Sequence, residues 1–160
     1  MEDSRPSQFS SGELDVLLQA RVIYVATVRK DGTQSTAAPI WFTLTRERKI
    51  LIQSGPDSWH TRRVRRGSPV IVWFGKRRAL AFIGKAEISN DPMVVEKIIK
   101  DYPRKYLMAW LGLHRPTKSS FERGARQAIR ITPIQGLPRG FRSQPGAPAP
   151  KLADGAVDLS

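Results

Sequence analysis

The chain has 160 residues, 40% of them apolar, and carries a formal net charge of +13. That length suits one domain around one core, and no apolar run approaches the roughly 18 residues of a membrane-spanning helix. The lack of cysteine excludes disulfides, thiolate metal centres and cysteine nucleophiles, and the two histidines, His60 and His114, are too far apart for zinc-ligand spacing.

The opening MEDSRPSQFSSGE is polar and bears acids, unlike a signal peptide, so a soluble, cytoplasmic protein is expected. Residues 1–9 read as a flexible N-terminus. Ser10 and Glu13 then have capping-box spacing ahead of Leu14, Leu17 and Leu18, which share one helical face. A short helix ending near Ala20 follows from this. VIYVATV, 22–28, is β-branched and aromatic and predicts a strand. Asp31-Gly32 is a hairpin turn signal, returning the chain as a second strand over 33–44. Pro39 cannot donate to a ladder, which places it at an edge, a bulge or a break.

ILIQS, 50–54, predicts the third strand. Gly55 and Pro56 end it, and Asp57 or Ser58 is placed to cap a short helix over 59–66. PVIVWF, 69–74, and ALAFIGKAEIS, 79–89, predict the fourth and fifth strands around a GKRR turn, with Gly84 marking a bulge or close backbone approach. Asn90-Asp91-Pro92 starts an amphipathic helix that Pro103 is expected to interrupt, with RKYLMAWLGLH resuming it. HRPTKSSFERGAR reads as loop, and QAIRITPIQGL, 127–137, as the last strand. Residues 138–160 are rich in Pro, Gly, Ala and Ser and are expected to be disordered. The domain therefore spans 10–137.

Five or six strands in hairpin order, without a βαβ rhythm, predict a mainly β (α+β) fold: an antiparallel β-barrel with short flanking helices. No G-x-G-x-x-G follows a strand and no G-K-[ST] occurs, so Rossmann and P-loop sites are excluded.

Charge is distributed unevenly. No acidic residue occurs between Ser58 and Ala86, whereas Arg62, Arg63, Arg65, Arg66, Lys76, Arg77, Arg78 and Lys85 all do. A phosphate is recognised by forked guanidinium donors, hydroxyls and exposed backbone N–H groups. The segment SGPDSWHTRR supplies all of them. Such a field also suits other polyanions, nucleic acid among them.

The ordered set YVATVRKDGTQSTAAPIWF, ILIQSGPDSWHTRRVRRGSP and LAFIGKAEI, with a weaker echo in ITPIQGLPRGF, resembles the FMN-binding split β-barrel proteins. That superfamily is similar to pyridoxamine 5'-phosphate oxidase and includes flavin/deazaflavin oxidoreductases. The resemblance implies a six-stranded antiparallel split β-barrel, a homodimer holding FMN, or the deazaflavin coenzyme F-420, at its interface, and hydride transfer to or from a small organic substrate. It implies that Ala38, Pro39, Ile40 and Trp41 lie against the ring. It places Gln53, Ser54, Ser58, His60, Arg62 and Arg63 at the ribityl phosphate, with Trp59 beside them. His60 departs from the family's usual Lys and Arg63 from its frequent Asn.

No acid–base pair stands out, so catalytic residues are left unassigned. Two other readings remain: a non-catalytic flavin- or tetrapyrrole-binding protein, and a basic nucleic-acid-binding β-barrel. The second is disfavoured because aromatic and basic residues are not interleaved as stacking platforms.

Overall fold

The computed structural model describes residues 9–106, 116–124 and 126–152. Helix α1 (Ser11–Gln19) starts at Ser10 with the expected capping box. Seven strands follow: β1 (Ile23–Thr27), β2 (Ala38–Ile40), β3 (Thr43–Leu44), β4 (Ile50–Ser54), β5 (Val70–Phe74), β6 (Leu80–Ile88) and β7 (Gln127–Gly136). Helix α2 (Trp59–Arg65) lies between β4 and β5, and α3 (Pro92–Lys105) and α4 (Lys118–Glu122) between β6 and β7.

All strands join one antiparallel sheet in the order β2-β1-β5-β6-β7-β4-β3. This order forces curvature. Flat, the outer strands would stand roughly 29 Å apart, at about 4.8 Å per strand. Yet β2 and β3 are joined by only Trp41 and Phe42, a link that reaches at most about 11 Å. The sheet must therefore curl until its edges meet, giving a split barrel. The expected single strand over 33–44 is in fact two, broken at this crossing, so the barrel has seven strands rather than six. Pro39 sits on an edge, paired with Tyr24 through β1.

The inner core is hydrocarbon: Ile23, Val25, Phe42, Ile50, Ile52, Val72, Phe74, Phe82, Ile129 and Ile131 are buried together. Alternation along each strand points them inward. Leu17 of α1 and Phe9 join them, and the Phe9 ring meets Phe74 and Phe82 edge-on at 5.9 and 5.3 Å. Phe9 is thus anchored, not part of a flexible end. The β6–β7 pairing shifts register at Ile83/Gly84, and a Cβ on Gly84 would lie 2.6 Å from Ile131 Cγ2. The expected bulge and the close approach are both present.

Outside the barrel, α3 and α4 cover Leu51 and Ala128 with Val95, Ile98, Tyr102 and Phe121. Pro103 does not interrupt α3, which runs on to Lys105. Its place in the last turn confines the damage to one missing backbone bond. The expected loop around Ser119 forms α4 instead, because Thr117 and Ser120 cap it reciprocally. The expected resumption of the helix over 107–115, with Trp110 and His114, lies outside the described residues.

The segment after β7 overturns the expectation of disorder as far as Leu152. Phe141 stacks on Trp73 at 6.2 Å, and its carbonyl accepts Trp73 Nε1–H at 2.9 Å. Farther on, Gln34 N donates to Ala147 O, Gly146 N donates to Gln34 O, and Ala149 N donates to Gly32 O, each within 2.9 Å. The composition misled because the ordering groups are not its own. A sheet edge and the outer apolar face of Ala26, Ile71, Trp73 and Ala81 supply them.

The GKRR turn between β5 and β6 holds Arg77 and Arg78 at φ of 56° and 54°, the left-handed region. The Arg78 guanidinium lies 3.6 Å from the Tyr24 ring centroid, which offsets part of that strain. Among the described residues, no helix is long and apolar enough to cross a membrane.

Candidate functional site

The strand end β4 and the helix α2 form one continuous polar corner. Ser58 caps α2 by accepting Thr61 N–H at 3.1 Å, and its Oγ lies 2.6 Å from Ser54 Oγ. Thr61 Oγ1 donates to Gly55 O at 2.6 Å. The two serines are therefore first of all a turn and an N-cap, with their hydroxyls facing each other.

The basic residues of α2 divide into two groups. Arg63 donates to Thr27 Oγ1 at 3.1 Å and Arg66 to Val28 O at 2.8 Å, so both clip α2 to the end of β1. Burial, then Arg29 and Arg66, push the Arg63 guanidinium below its ordinary value. Arg62 lies over Trp59, 5.5 Å from the ring centroid, and Arg63 lies over the same ring at 4.8 Å. Trp59 is 64% exposed, so it is no core residue. Among the described residues, no carboxylate forms an ion pair with Arg62, Arg63, Arg65 or Arg66. The expected uncompensated cation cluster is real.

His60 turns inward. Its Nε2 lies 3.2 Å from Val25 O, which requires the proton on that nitrogen. In the neutral ring Nδ1 is then an acceptor, a poor partner for phosphate, and Nε2 is not free for a haem iron.

Three ring-side candidates meet Gln53, which the resemblance put at the phosphate, in a separate place. Pro39, Ile40, Trp41 and Gln53 line an open pocket of about 340 Å³ together with Arg126, which sequence reading missed. Ala38, one residue earlier on β2, pairs with Val25 and is not part of that lining. Gln53 faces Ala128 across the β4–β7 ladder, and Arg126 lies just before β7, which brings it to the same pocket. Only knowledge of that pairing could have pointed to Arg126. A larger groove of about 450 Å³ lies between Thr45, Lys49 and Val94, but it contains none of the candidates and mixes acids with bases.

The pocket wall is held by α3. Tyr102 Oη donates to Trp41 O at 2.8 Å, and Tyr106 Oη accepts Phe42 N–H at 3.0 Å while donating to Arg21 O. The Tyr106 ring stacks on Trp41 at 4.3 Å, tilted by 4°. Burial raises both tyrosines, Tyr106 to about 12, so their hydroxyls stay protonated and serve as pins. Lys105 Nζ donates to Phe42 O at 3.1 Å and sits 3.3 Å from the Phe42 ring centroid. Burial lowers its pKa to about 8, opposed by Asp101.

These features describe a seven-stranded split barrel with an open pocket at its β2–β3 crossing and an uncompensated cationic helix. A family model for pyridoxamine 5'-phosphate oxidase matches residues 13–138, and the chain belongs to that family. No curated protein matches it in sequence. Among solved structures it resembles a provisional pyridoxamine 5'-phosphate oxidase from Listeria innocua, at 22% identity and a TM-score of 0.58, over 78% of this chain and 92% of that one. It also resembles general stress protein 26 from Bacillus anthracis, at 17% identity and a TM-score of 0.56, covering 78% and 94%. An F-420 reductase is similar at 16% identity and a TM-score of 0.55, covering 81% and 98%. At these identities the three establish a shared fold.

The Trp41 pocket has room for a small molecule, and α2 presents cations that an anionic group would offset. The pocket volume is in the range of small-molecule clefts. Gln53 Oε1 is buried there without a hydrogen-bond partner, an unfavourable state that a ligand donor would relieve.

Proposed function

We propose that the protein is a flavin-type oxidoreductase that holds FMN or the deazaflavin coenzyme F-420 between the pocket at Trp41 and the cationic face of α2. The observation that carries this reading is the pairing of an orphaned buried acceptor, Gln53 Oε1, with a cation cluster that lacks carboxylate partners among the described residues. Family membership supports it, since relatives include oxidoreductases. When bound, such a cofactor supplies the two-electron chemistry, and the protein orients and tunes it. Pro39, Ile40 and Trp41 would support the ring. Arg62, with Arg63 and the Ser54–Ser58 corner, would take the phosphate. His60 would position α2 rather than touch the anion. The pocket is open on one side, and a second copy of the chain would wall it, giving a homodimer with the small-molecule substrate stacked on the exposed ring.

The test is titration of both cofactors by quenching of tryptophan emission, with Trp41 and Trp59 as reporters. Micromolar or tighter binding of one of them, weakened on the order of tenfold by Arg62→Ala, is expected. No saturable quenching by either cofactor rules the reading out. Preference for F-420 that fades with added salt would assign the remaining cations to its anionic tail.

One observation favours a second reading. Exposed Trp59, flanked by Arg62 and Arg63, has the form of a stacking platform for a single-stranded nucleic acid. Oligonucleotide binding that is steeply salt-dependent, is lost in Trp59→Ala and survives saturation with FMN would establish it.

A further inference from the structure

Among the described residues, two polar groups in the Trp41 pocket lack hydrogen-bond partners, and their chemistry is complementary. Gln53 Oε1 is a buried acceptor with no donor. Arg126 hydrogen-bonds through its backbone, N–H to Ser120 O at 3.1 Å, while its guanidinium engages no carbonyl or carboxylate among the described residues. Gln53 pairs with Ala128 in the β4–β7 ladder, and Arg126 immediately precedes β7. Both line the same pocket beside Pro39, Ile40 and Trp41.

An orphaned acceptor calls for an N–H, and an unpaired guanidinium calls for an oxygen. A phosphate offers only acceptors, and a ribityl chain has no fixed planar edge. A group that presents N–H and C=O side by side in one plane is an imide or lactam. We propose that Gln53 and Arg126 form a subsite for an imide edge, namely the pyrimidine edge of the flavin or deazaflavin ring. Gln53 Oε1 accepts the ring N–H and Arg126 donates to the adjacent carbonyl oxygen. This moves Gln53 from the phosphate end to the ring end of the ligand, and it rests on the flavin reading above. Gln53 thereby becomes a specificity-determining residue, and Arg126 one that sets affinity and potential. Its positive charge at the ring carbonyl would also favour the more negative, reduced form of the ring.

The test compares FMN with N3-methyl FMN, which keeps the phosphate but has lost the ring N–H. Both are titrated by tryptophan quenching against the full-length wild type, Gln53→Leu and Arg126→Gln. The wild type should prefer FMN by about tenfold or more, because methylation leaves the buried acceptor unpaired and adds bulk. In Gln53→Leu that preference should shrink to within about threefold. Arg126→Gln should keep the preference, bind FMN more weakly and lower the midpoint potential of the bound flavin. Equal binding of the two ligands by wild type overturns the inference and leaves the flavin reading standing. So does a preference unchanged in Gln53→Leu, which would report bulk alone, or an Arg126→Gln variant with unaltered affinity and potential. Failure of FMN, N3-methyl FMN and F-420 alike to bind wild type overturns the flavin reading itself and the inference with it, whereas binding of F-420 alone keeps that reading and moves the same comparison to F-420 and its N3-methyl derivative.

Discussion

The inner barrel core and the Trp41–Phe42 crossing are neighbours held by different physics. The core is a hydrocarbon cluster in which Phe74, Phe82, Ile129 and their neighbours share the load through area and volume. The crossing is held by a few directed bonds from one turn of α3: the hydroxyls of Tyr102 and Tyr106 and the ammonium of Lys105. Phe42 belongs to both, its ring in the core and its backbone in the hands of Tyr106 and Lys105. The barrel can therefore form without knowing where its edge crosses, while the pocket exists only if the crossing is pinned.

Substitutions that separate the two regions sharpen this contrast. The largest effect is expected for Phe74→Ala, which opens a cavity in the core and should remove about 3–5 kcal/mol, measured by urea denaturation, in a protein whose pocket residues are untouched. Tyr106→Phe keeps the ring stacked on Trp41 but strands the Phe42 N–H, and about 1–3 kcal/mol should be lost. It should also change Trp41 emission and weaken cofactor binding, which Phe74→Ala should not do in its folded fraction. A Tyr106→Phe protein with unaltered stability and emission would erase the distinction. Ser58→Ala removes a local cap and should cost about 1 kcal/mol, read as faster amide exchange in α2 with the barrel strands unaffected.

The smallest effect concerns Lys105 and is read against pH. Its pKa is about 8 when folded and 10.5 when exposed. Between those values the unfolded chain binds more protons, so stability rises with pH. The penalty of the buried ammonium is fully present below pH 8 and is relieved by 10.5. Above 10 the raised tyrosines act in the opposite sense, because their unfolded forms ionise first. Lys105→Met should flatten the rise between pH 8 and 10, and an unchanged slope would show that the ammonium is solvated.

Local signals proved legible wherever the determining atoms are close in sequence. The Ser10 capping box, the ILIQS strand, the Ser58 cap and the Gly84 bulge all form where spacing and backbone chemistry place them. In the site, the three arginines of α2 and Arg66 at its C-cap were visible as a run without acids, and Pro39, Ile40, Trp41 and Gln53 do share a pocket. Elements stabilised from a distance were not legible. The order of residues 138–152 comes from Gln34 and Trp73, and the inward turn of His60 comes from Val25.

The amino-acid sequence by itself determined the strands, the caps, the charge field and the barrel class, since periodicity, φ restrictions and desolvation act within a few residues. Only the tertiary structure decided where the strand over 33–44 breaks, which tyrosines pin the break, and that Arg126 shares a pocket with Gln53. Those facts depend on strand register and on contacts between residues some 60 to 75 positions apart, and no local property of the chain encodes which partner will lie at the far end.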